Sequence, residues 1–290
     1  MADNTRDIRR RIRSVRNTQQ ITKAMKMVAA SKLRKAQSRL LAVRPYEEAI
    51  VGRLAALLPQ LQGDESPLLA RRAGPRIALI LVTGDKGLCG AFNNNLIRSA
   101  EQFIAEHPGR QITLTAIGKK GARHFAATPC APRWSYTGLA ENATLTQAAA
   151  IMHRHVAEYL AGGFDELHLI FSYFRSIIAH QLRTERLLPF EVPDVEQLAA
   201  RGPQPDYLMM PGVKEVCSYL LEESLNIRLF RALLESASSE FGARMSGMDG
   251  ATKNAEEMID QLTLDLNRAR QAIITKELAE IVGGAEALSK

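Results

Sequence analysis

Apolar residues recur every three and four positions at both ends of the chain, which restricts each end to a long helix packed along one stripe. Alternating steps of four and three from Ile8 to Leu61 meet apolar residues at twelve of sixteen positions. The same stepping from Phe241 to Ile273 meets them at nine of ten. These repeats predict that the two ends pair as an antiparallel two-helix coiled coil.

Polar residues interrupt the first seam, and apolar neighbours stand close enough to cover the break. The interrupting residues are Gln19, Thr22 and Lys26, and the neighbours are Ile21, Met25 and Val28. We therefore expect the packing face to rotate there. Pro45 is expected to bend the same helix, because a proline inside a helix removes a hydrogen bond and crowds the preceding turn.

Helix boundaries and charge add to this prediction. The second helix is expected to begin after Pro211-Gly212 and to stop at Gly283-Gly284. At about 1.5 Å per residue, the second helix would reach roughly 105 Å and the first roughly 75 Å. The two helices should therefore project as a shaft, in which the second extends beyond the first. Residues 1–58 carry fourteen basic and four acidic side chains, whereas residues 213–290 carry nine and thirteen. Opposite charge should support the pairing, though exposed ion pairs stabilise little individually.

The middle of the chain alternates between apolar runs and amphipathic stretches. Buried strands are predicted at Arg76–Val82, Ile112–Gly118 and Glu166–Phe174, with helices near Asn94–Glu106, Gly121–Ala127 and Thr144–Leu160. Strands that alternate with helices predict a mainly parallel, Rossmann-like sheet. The fold class is therefore α/β, with a coiled-coil helix over residues 1–62, an inserted domain over 68–208 and a second helix over 212–290.

A glycine-rich turn, "VTGDKGLCGAFNNN", follows the first predicted strand. Its glycines, Gly84, Gly87 and Gly90, lack the spacing and the Gly-Lys-Ser/Thr ending of a phosphate-binding loop. The acidic residue of a dinucleotide site is also missing, because the next strand ends in "TAIGKKG". We interpret the turn as a tight connection that needs positive φ or close packing, with Asp85 or Asn93 capping the next helix. No cofactor is expected.

Other patterns also argue against catalysis or metal binding. Three widely spaced cysteines form no CxxC pair, which favours a reducing compartment. His153 and His155 point to different sides of a helix and are interpreted as solvated surface residues rather than metal ligands. The apolar runs are far shorter than the ~18–20 residues that cross a bilayer, so any membrane association is expected to come through partners.

Four long segments resemble the gamma subunit family of the rotary ATP synthase. They are "IRRRIRSVRNTQQITKAMKMVAASKLRKAQ", "GDKGLCGAFNNNL", "ESLNIRLFRALLESASSEFGARMSGMDGATKNAEEMI" and "NRARQAIITKELAEIVGGAEAL". The resemblance implies a non-catalytic rotor, the central stalk that couples ion-driven rotation of the membrane c ring to the catalytic sites. Its implied partners are the alpha and beta subunits, the epsilon subunit and the c ring, at the cytoplasmic face of the bacterial inner membrane.

The resemblance also carries over partner contacts. Arg270, Gln271 and Thr275 match positions where the shaft touches loops of the beta subunits, and Lys23, Met25 and Lys26 match the facing segment of the first helix. The chain departs from the family at Tyr207–Gly212, where an acidic residue is missing. This departure affects the contacts expected at the end of the stalk near the c ring. The chain also lacks the chloroplast cysteine pair, so no thiol control of rotation is expected.

Two other functions are compatible with parts of the sequence. "RDIRRRIRSVR" ahead of a seam could bind nucleic acid, although its arginines lie beside seam residues and the acidic second helix would neutralise them. The inserted domain could instead belong to a nucleotide-binding α/β enzyme. Salt-sensitive duplex binding by the isolated chain would favour the first alternative, and bound ATP or NAD would favour the second.

Overall fold

Along the chain, one long helix precedes an α/β segment and a second long helix follows it. The computed structural model describes residues 2–58, 66–177, 180–191, 210 and 212–288. Helix α1 (Ala2–Leu57) continues through Pro45, and the last helix, α6, covers Val213–Leu288. The elements between them are β1 (Arg76–Val82), α2 (Phe92–Glu106), β2 (Gln111–Ile117), α3 (Lys119–Phe125), β3 (Trp134–Tyr136), α4 (Leu139–Asn142), α5 (Leu145–Leu160), β4 (Glu166–Phe174) and β5 (His180–Leu188).

The predicted stop of the last helix at Gly283-Gly284 was wrong, because α6 continues to Leu288. Each glycine costs about 1 kcal/mol relative to alanine inside a helix, which is not enough to end one by itself. The flanking sequences, "ELAEIV" and "AEAL", are rich in strong helix formers. They offset the glycines over the surrounding turns.

The chain forms two compact units. The terminal unit consists of Met1–Ala29 with Arg244–Lys290, and the central unit consists of Ala30–Ala243. The three-part division into residues 1–62, 68–208 and 212–290 stays a prediction. Residues 1, 59–62, 178–179, 192–208 and 289–290 of these ranges lie outside the described residues, as does most of the Tyr207–Gly212 departure.

Within the terminal unit, α1 and α6 pack antiparallel along the predicted seam. The hydroxyl of Thr252 donates to Oγ1 of Thr22 at 2.8 Å, and Nζ of Lys26 donates to Oδ1 of Asp249 at 2.5 Å. Every seam position of α6 from Met245 to Ile273 is buried or half-buried, and nearly all residues between these positions are exposed. The 3.5-residue repeat therefore located the packing stripe of this helix correctly.

The predicted rotation of the packing face at the polar break was wrong. Ile21 and Val28 are 60% and 57% exposed, whereas Thr22 is 8% exposed and stays on the seam. The hydroxyl of Thr22 donates to the main-chain oxygen of Gln19 at 3.0 Å and accepts from Thr252. Because the buried hydroxyl has partners, the polar residue can remain in the interface at little cost.

The central unit is built around a five-stranded sheet with the order β3-β2-β1-β4-β5. The first four strands run parallel, which confirms the mainly parallel prediction, and β5 pairs antiparallel with β4. The predicted strands β1, β2 and β4 are present within one residue of their expected bounds. Strands β3 and β5 were not predicted.

Side chains of β1 alternate between two hydrophobic clusters on opposite faces of the sheet. Ala78, Ile80 and Val82 pack in a cluster with residues of α1, α5 and α6. The intervening Ile77, Leu79 and Leu81 pack with residues of α2. Both faces of β1 are therefore covered, as expected for the central strand of a parallel sheet. Among the described helices, none combines the length and apolarity that a membrane span requires.

Candidate functional site

The glycine turn between β1 and α2 uses its glycines in three different ways. Gly90 has φ +56°, a left-handed conformation that favours glycine. A Cβ on Gly84 would lie 2.8 Å from the carboxylate of Glu240, so a side chain there would have to displace that buried carboxylate. A Cβ on Gly87 would meet only Lys120, at 3.8 Å, which is an ordinary contact. Gly90 therefore meets the expected need for positive φ and Gly84 the expected close packing, whereas Gly87 shows neither.

The side chain of Asn93 fills the inside of the turn. Its Oδ1 accepts from the main-chain N–H of Gly84 at 2.8 Å, and its Nδ2 donates to the main-chain oxygen of Lys86 at 3.2 Å. Asn93 is 7% exposed. A phosphate held by such a turn needs free main-chain N–H groups, and the side chain occupies that of Gly84.

Two carboxylates, of Glu240 and Glu141, lie beside the turn. Glu240 is 2% exposed and lies against Gly84. Lys86 donates to Oε1 of Glu141 at 2.9 Å, and Lys32 donates to Oε2 of the same carboxylate at 2.6 Å. The hydrogen bond from Lys32, followed in importance by that from Lys86, lowers the pKa of Glu141. The charge of Lys86, the lysine within the turn, is therefore engaged by an acid.

The predicted capping of α2 by Asp85 or Asn93 was wrong. The N-cap of α2 is Ala91, which makes no side-chain capping bond. Asp85 instead accepts from the main-chain N–H of Lys119 at 3.0 Å and from that of Gly138 at 2.9 Å. It thus ties the turn to the beginnings of α3 and α4. These partners follow other strands, so local spacing could not reveal them.

His155 is a core residue, and its interpretation as a solvated histidine was wrong. It is fully buried, its Nδ1 donates to the main-chain oxygen of Ile151 at 2.8 Å, and its Nε2 accepts from Thr115 at 3.0 Å. The ring packs edge-on against Trp134 with centroids 5.3 Å apart. Burial lowers its pKa. His153 lies on the other side of α5 and is exposed, as predicted.

The two sets of predicted beta-subunit contacts lie apart in the terminal unit. The bond between Lys26 and Asp249 sets the antiparallel register, so Lys26 is twenty-one residues from Arg270 along the helices. That distance is about 30 Å. Lys23 is exposed and Met25 is half-buried. These residues therefore do not lie opposite the segment around Arg270, and their role as beta-subunit contacts stays a prediction.

The other predicted contacts lie on the outer surface of α6. Arg270, Gln271 and Thr275 are all exposed. They are close enough in sequence to occupy about two turns of one helix. The structure leaves all three side chains accessible to another protein, and their role as contacts stays a prediction.

The last part of α6 outruns α1, as predicted. Continuing the register from Thr22 and Thr252 places Ala2, the first residue of α1, opposite residues 272–273. Ile273 is the last half-buried position, and every side chain from 274 to 282 is exposed. This single-helix tip includes apolar residues with exposures of 50–68%: Ile274, Leu278, Ile281 and Val282.

Charges in the terminal unit are largely on its outer surface. The exposed arginines of α1 in this unit are Arg6, Arg9, Arg10, Arg11, Arg13 and Arg16. The exposed acids of α6 at about the same level are Glu256, Glu257, Asp260 and Asp265. At this level α1 therefore presents a basic surface, and α6 presents an acidic one between Glu256 and Asp265. The electrostatic support predicted for the pairing is correspondingly small.

Comparison with known proteins extends over nearly the whole chain. The family model described as ATP synthase matches residues 4–288. The ATP synthase gamma chain of Solibacter usitatus is 47% identical over 285 residues, covering 97% of this chain and 98% of that protein. The gamma chain of Moorella thermoacetica is 47% identical over 287 residues, covering 98% of each.

Solved structures of ATP synthases also contain chains that are similar to this one. The central stalk and c ring of the Tetrahymena thermophila mitochondrial ATP synthase contain a chain that is 28% identical, with a TM-score of 0.63. The match covers 80% of this chain and 99% of that one. A chain of the Euglena gracilis enzyme has the same fold, with 17% identity, a TM-score of 0.69 and coverage of 99% and 95%. The chain belongs to the ATP synthase gamma chain family and is a central-stalk subunit of an F-type ATP synthase.

Proposed function

We propose that this central-stalk subunit acts as a non-catalytic shaft whose rotation changes the contacts made with each catalytic site in turn. The terminal unit carries the proposal, because its two helices expose chemically different surfaces around one axis. Nucleotide chemistry belongs to other subunits in this proposal. The glycine turn supports that division. Asn93 takes up the main-chain N–H of Gly84 that a phosphate would use, and the carboxylate of Glu240 lies against the same glycine.

The single-helix tip supports insertion into a surrounding protein. Four large apolar residues, from Ile274 to Val282, are at least half exposed along this segment. Exposed apolar surface of this kind marks an interaction site more often than a free surface. We propose that the alpha and beta subunits surround the tip and cover these side chains.

The charge distribution supports contacts that depend on angle. The basic surface of α1 and the acidic surface of α6 lie on opposite helices of the pair. A subunit that meets one surface experiences the opposite field from a subunit that meets the other. Rotation therefore gives each of several identical neighbours a different interaction energy, which is the differential contact that coupling between sites requires.

The remaining partners are proposed from the family. The central unit would meet the epsilon subunit and the c ring, as the Tetrahymena central stalk is found with a c ring. The chain would lie at the cytoplasmic face of the bacterial inner membrane, held there by these partners. Such an assembly needs neither a nucleic acid nor a bound cofactor on this chain.

Arg270, Gln271 and Thr275 are proposed to contact the beta subunits. Replacing Arg270 by alanine should lower ATP-driven proton pumping by the assembled complex while leaving the stability of the free chain nearly unchanged, because the side chain is exposed. Arg268→Ala is the matched control. Arg268 is also exposed but lies two residues away, and therefore on a different side of α6.

Co-purification tests the proposal as a whole. Tagged chain should bring down alpha and beta subunits and should restore coupling to a complex that lacks its own gamma subunit. Equal pumping by the Arg270→Ala and Arg268→Ala complexes would contradict the assigned contact. Failure of the tagged chain to assemble would contradict the rotor function itself.

A further inference from the structure

Four charged side chains from three elements of the central unit meet around Arg231. Its Nε lies 3.0 Å from Oε1 of Glu47 on α1, and its Nη2 lies 3.0 Å from Oε2 of Glu185 on β5. Its Nη1 lies 3.4 Å from Oε1 of Glu235, one turn further along α6. These four residues form the Arg231 cluster. One guanidinium thus serves three carboxylates that are each at most one-quarter exposed.

Glu235 is the most deeply buried acid of the Arg231 cluster. Its side chain is 4% exposed and its bond to Arg231 is the longest of the set. The second oxygen, Oε2, is buried and has no hydrogen-bond partner among the described residues. Burying an ionised carboxylate whose oxygen has no hydrogen bond costs much free energy, and burying a neutral carboxyl costs much less.

The surrounding charges do not remove this cost. Arg183 on β5 faces Glu235, but its guanidinium stacks over the ring of Tyr173 at 3.7 Å. Arg228 on α6 faces Glu185 and Glu47 and lies over the ring of Phe190 at 4.5 Å.

A further acid, Glu48, neighbours Glu47 on α1. The charges that act on Glu235 itself are those of Arg231, Arg183, Glu185 and Glu47, so with Glu235 ionised three glutamates face two arginines. An added proton would remove the excess negative charge.

We propose that the Arg231 cluster is a proton-binding site, in which Glu235 holds a proton that it releases as the solution becomes alkaline. Burial, with help from the charges of Glu185 and Glu47 and against that of Arg231, raises the pKa of Glu235 to about 7. The cluster joins α1, β5 and α6 at one point. Release of the proton puts a third negative charge into this junction and loosens it.

The sign of the effect follows from proton linkage. The folded chain binds the proton more tightly than the unfolded chain, whose glutamate has its ordinary value of 4.5. The contribution of Glu235 to stability is therefore greatest at acidic pH and declines as the pH rises through the interval up to about 7. Over that interval the unfolding equilibrium constant should rise on the order of a hundredfold from this group alone.

Infrared spectroscopy of the full chain, isotopically labelled at glutamate, tests the site directly. The wild-type chain should show the carbonyl band of a buried protonated carboxyl at pH 5.5, and this band should disappear by pH 8.5. Glu235→Gln should abolish the band and flatten the pH dependence of unfolding. Glu106→Gln, at an exposed glutamate of α2, is the control and should preserve both.

Glu185→Gln separates proton binding from a purely structural role. Removing the negative charge of Glu185 should make Glu235 easier to ionise, so the band should disappear at a lower pH than in the wild-type chain. This measurement stands even if Glu235→Gln fails to fold. Absence of the protonated band above pH 6, or an unchanged midpoint in Glu185→Gln, would overturn the proposal.

Discussion

Alanine substitutions at Gly84, Gly87 and Gly90 should change stability by different amounts, because each glycine serves a different physical purpose. Any phosphate-binding role would instead make the three substitutions similar in their effect on a ligand and small in their effect on folding. The order of the three stability changes therefore tests the structural interpretation of the turn.

Gly84→Ala should be the most destabilising of the series. The added Cβ would lie 2.8 Å from Cδ and Oε2 of Glu240 and 3.1 Å from its Oε1. Glu240 is on α6 and 2% exposed, so its carboxylate has little room to move. Overpacking of a buried site costs about 1–3 kcal/mol. A gain of about 0.4–1 kcal/mol from the less flexible unfolded chain offsets part of this.

Gly90→Ala and Gly87→Ala should differ although both sites are open. A Cβ on Gly90 would meet nothing within 4 Å, but φ is +56°. The left-handed conformation costs a residue with a side chain about 1–2 kcal/mol, so a net loss of about 1 kcal/mol is expected. Gly87 has neither a positive φ nor a close neighbour. Its alanine variant should be neutral or up to about 0.5 kcal/mol more stable.

Urea unfolding of the three full-length variants beside wild type measures these differences. Equilibrium dialysis against ATP, with the isolated chain, accompanies it. Equal losses at Gly84 and Gly87 would refute the packing argument. Tight ATP binding that all three substitutions weaken would restore the phosphate-binding interpretation.

Three other predictions concern the remaining contacts. Lys26→Ala and Asp249→Ala should show a small favourable coupling in a double-mutant cycle that added salt weakens, because both side chains are about 40% exposed; a salt-independent coupling would contradict this. Leu88 is 65% exposed and has φ 59°, so Leu88→Gly should leave urea stability unchanged or raise it, and a clear loss would show that its side chain packs. Hydrogen bonds from Arg76 lower the pKa of Asp165, which adds stability above the ordinary carboxyl pKa and loses it in stronger acid, so Asp165→Asn should flatten the acid limb of a pH–stability curve.

The strands that could be predicted are the ones whose side chains are buried on both faces. β1 is apolar from Ile77 to Val82 and β4 is apolar at six of its nine positions, and these patterns need no knowledge of the rest of the chain. β5 contains Arg183, Glu185 and Arg186 among its nine residues. Glu185 is about one-quarter exposed and pairs with Arg231, on a helix distant in sequence. A strand stabilised by a long-range ion pair has no local apolar signature.

The same limit applies to the candidate site. The absence of a phosphate-binding motif was visible in the spacing of the glycines. The residues that fill or flank the turn were not, because Glu141 and Glu240 come from other parts of the chain. At the polar break, sequence reasoning expected apolar residues to replace Thr22, since its partner Thr252 is invisible to a local pattern.

The seam and the charges of the terminal unit serve separate purposes. Neither seam hydroxyl needs the other helix for a hydrogen bond, since Thr22 donates to Gln19 and the single O–H of Thr252 can reach either Thr22 or, at 2.7 Å, the main-chain oxygen of Met248. The pairing therefore depends mainly on the apolar stripe and little on polar partners. Charge is then left on the outer surfaces, basic on α1 and acidic on α6. If opposite charges held the helices together, they would neutralise each other inside the pair, and the shaft would present the same field in every direction.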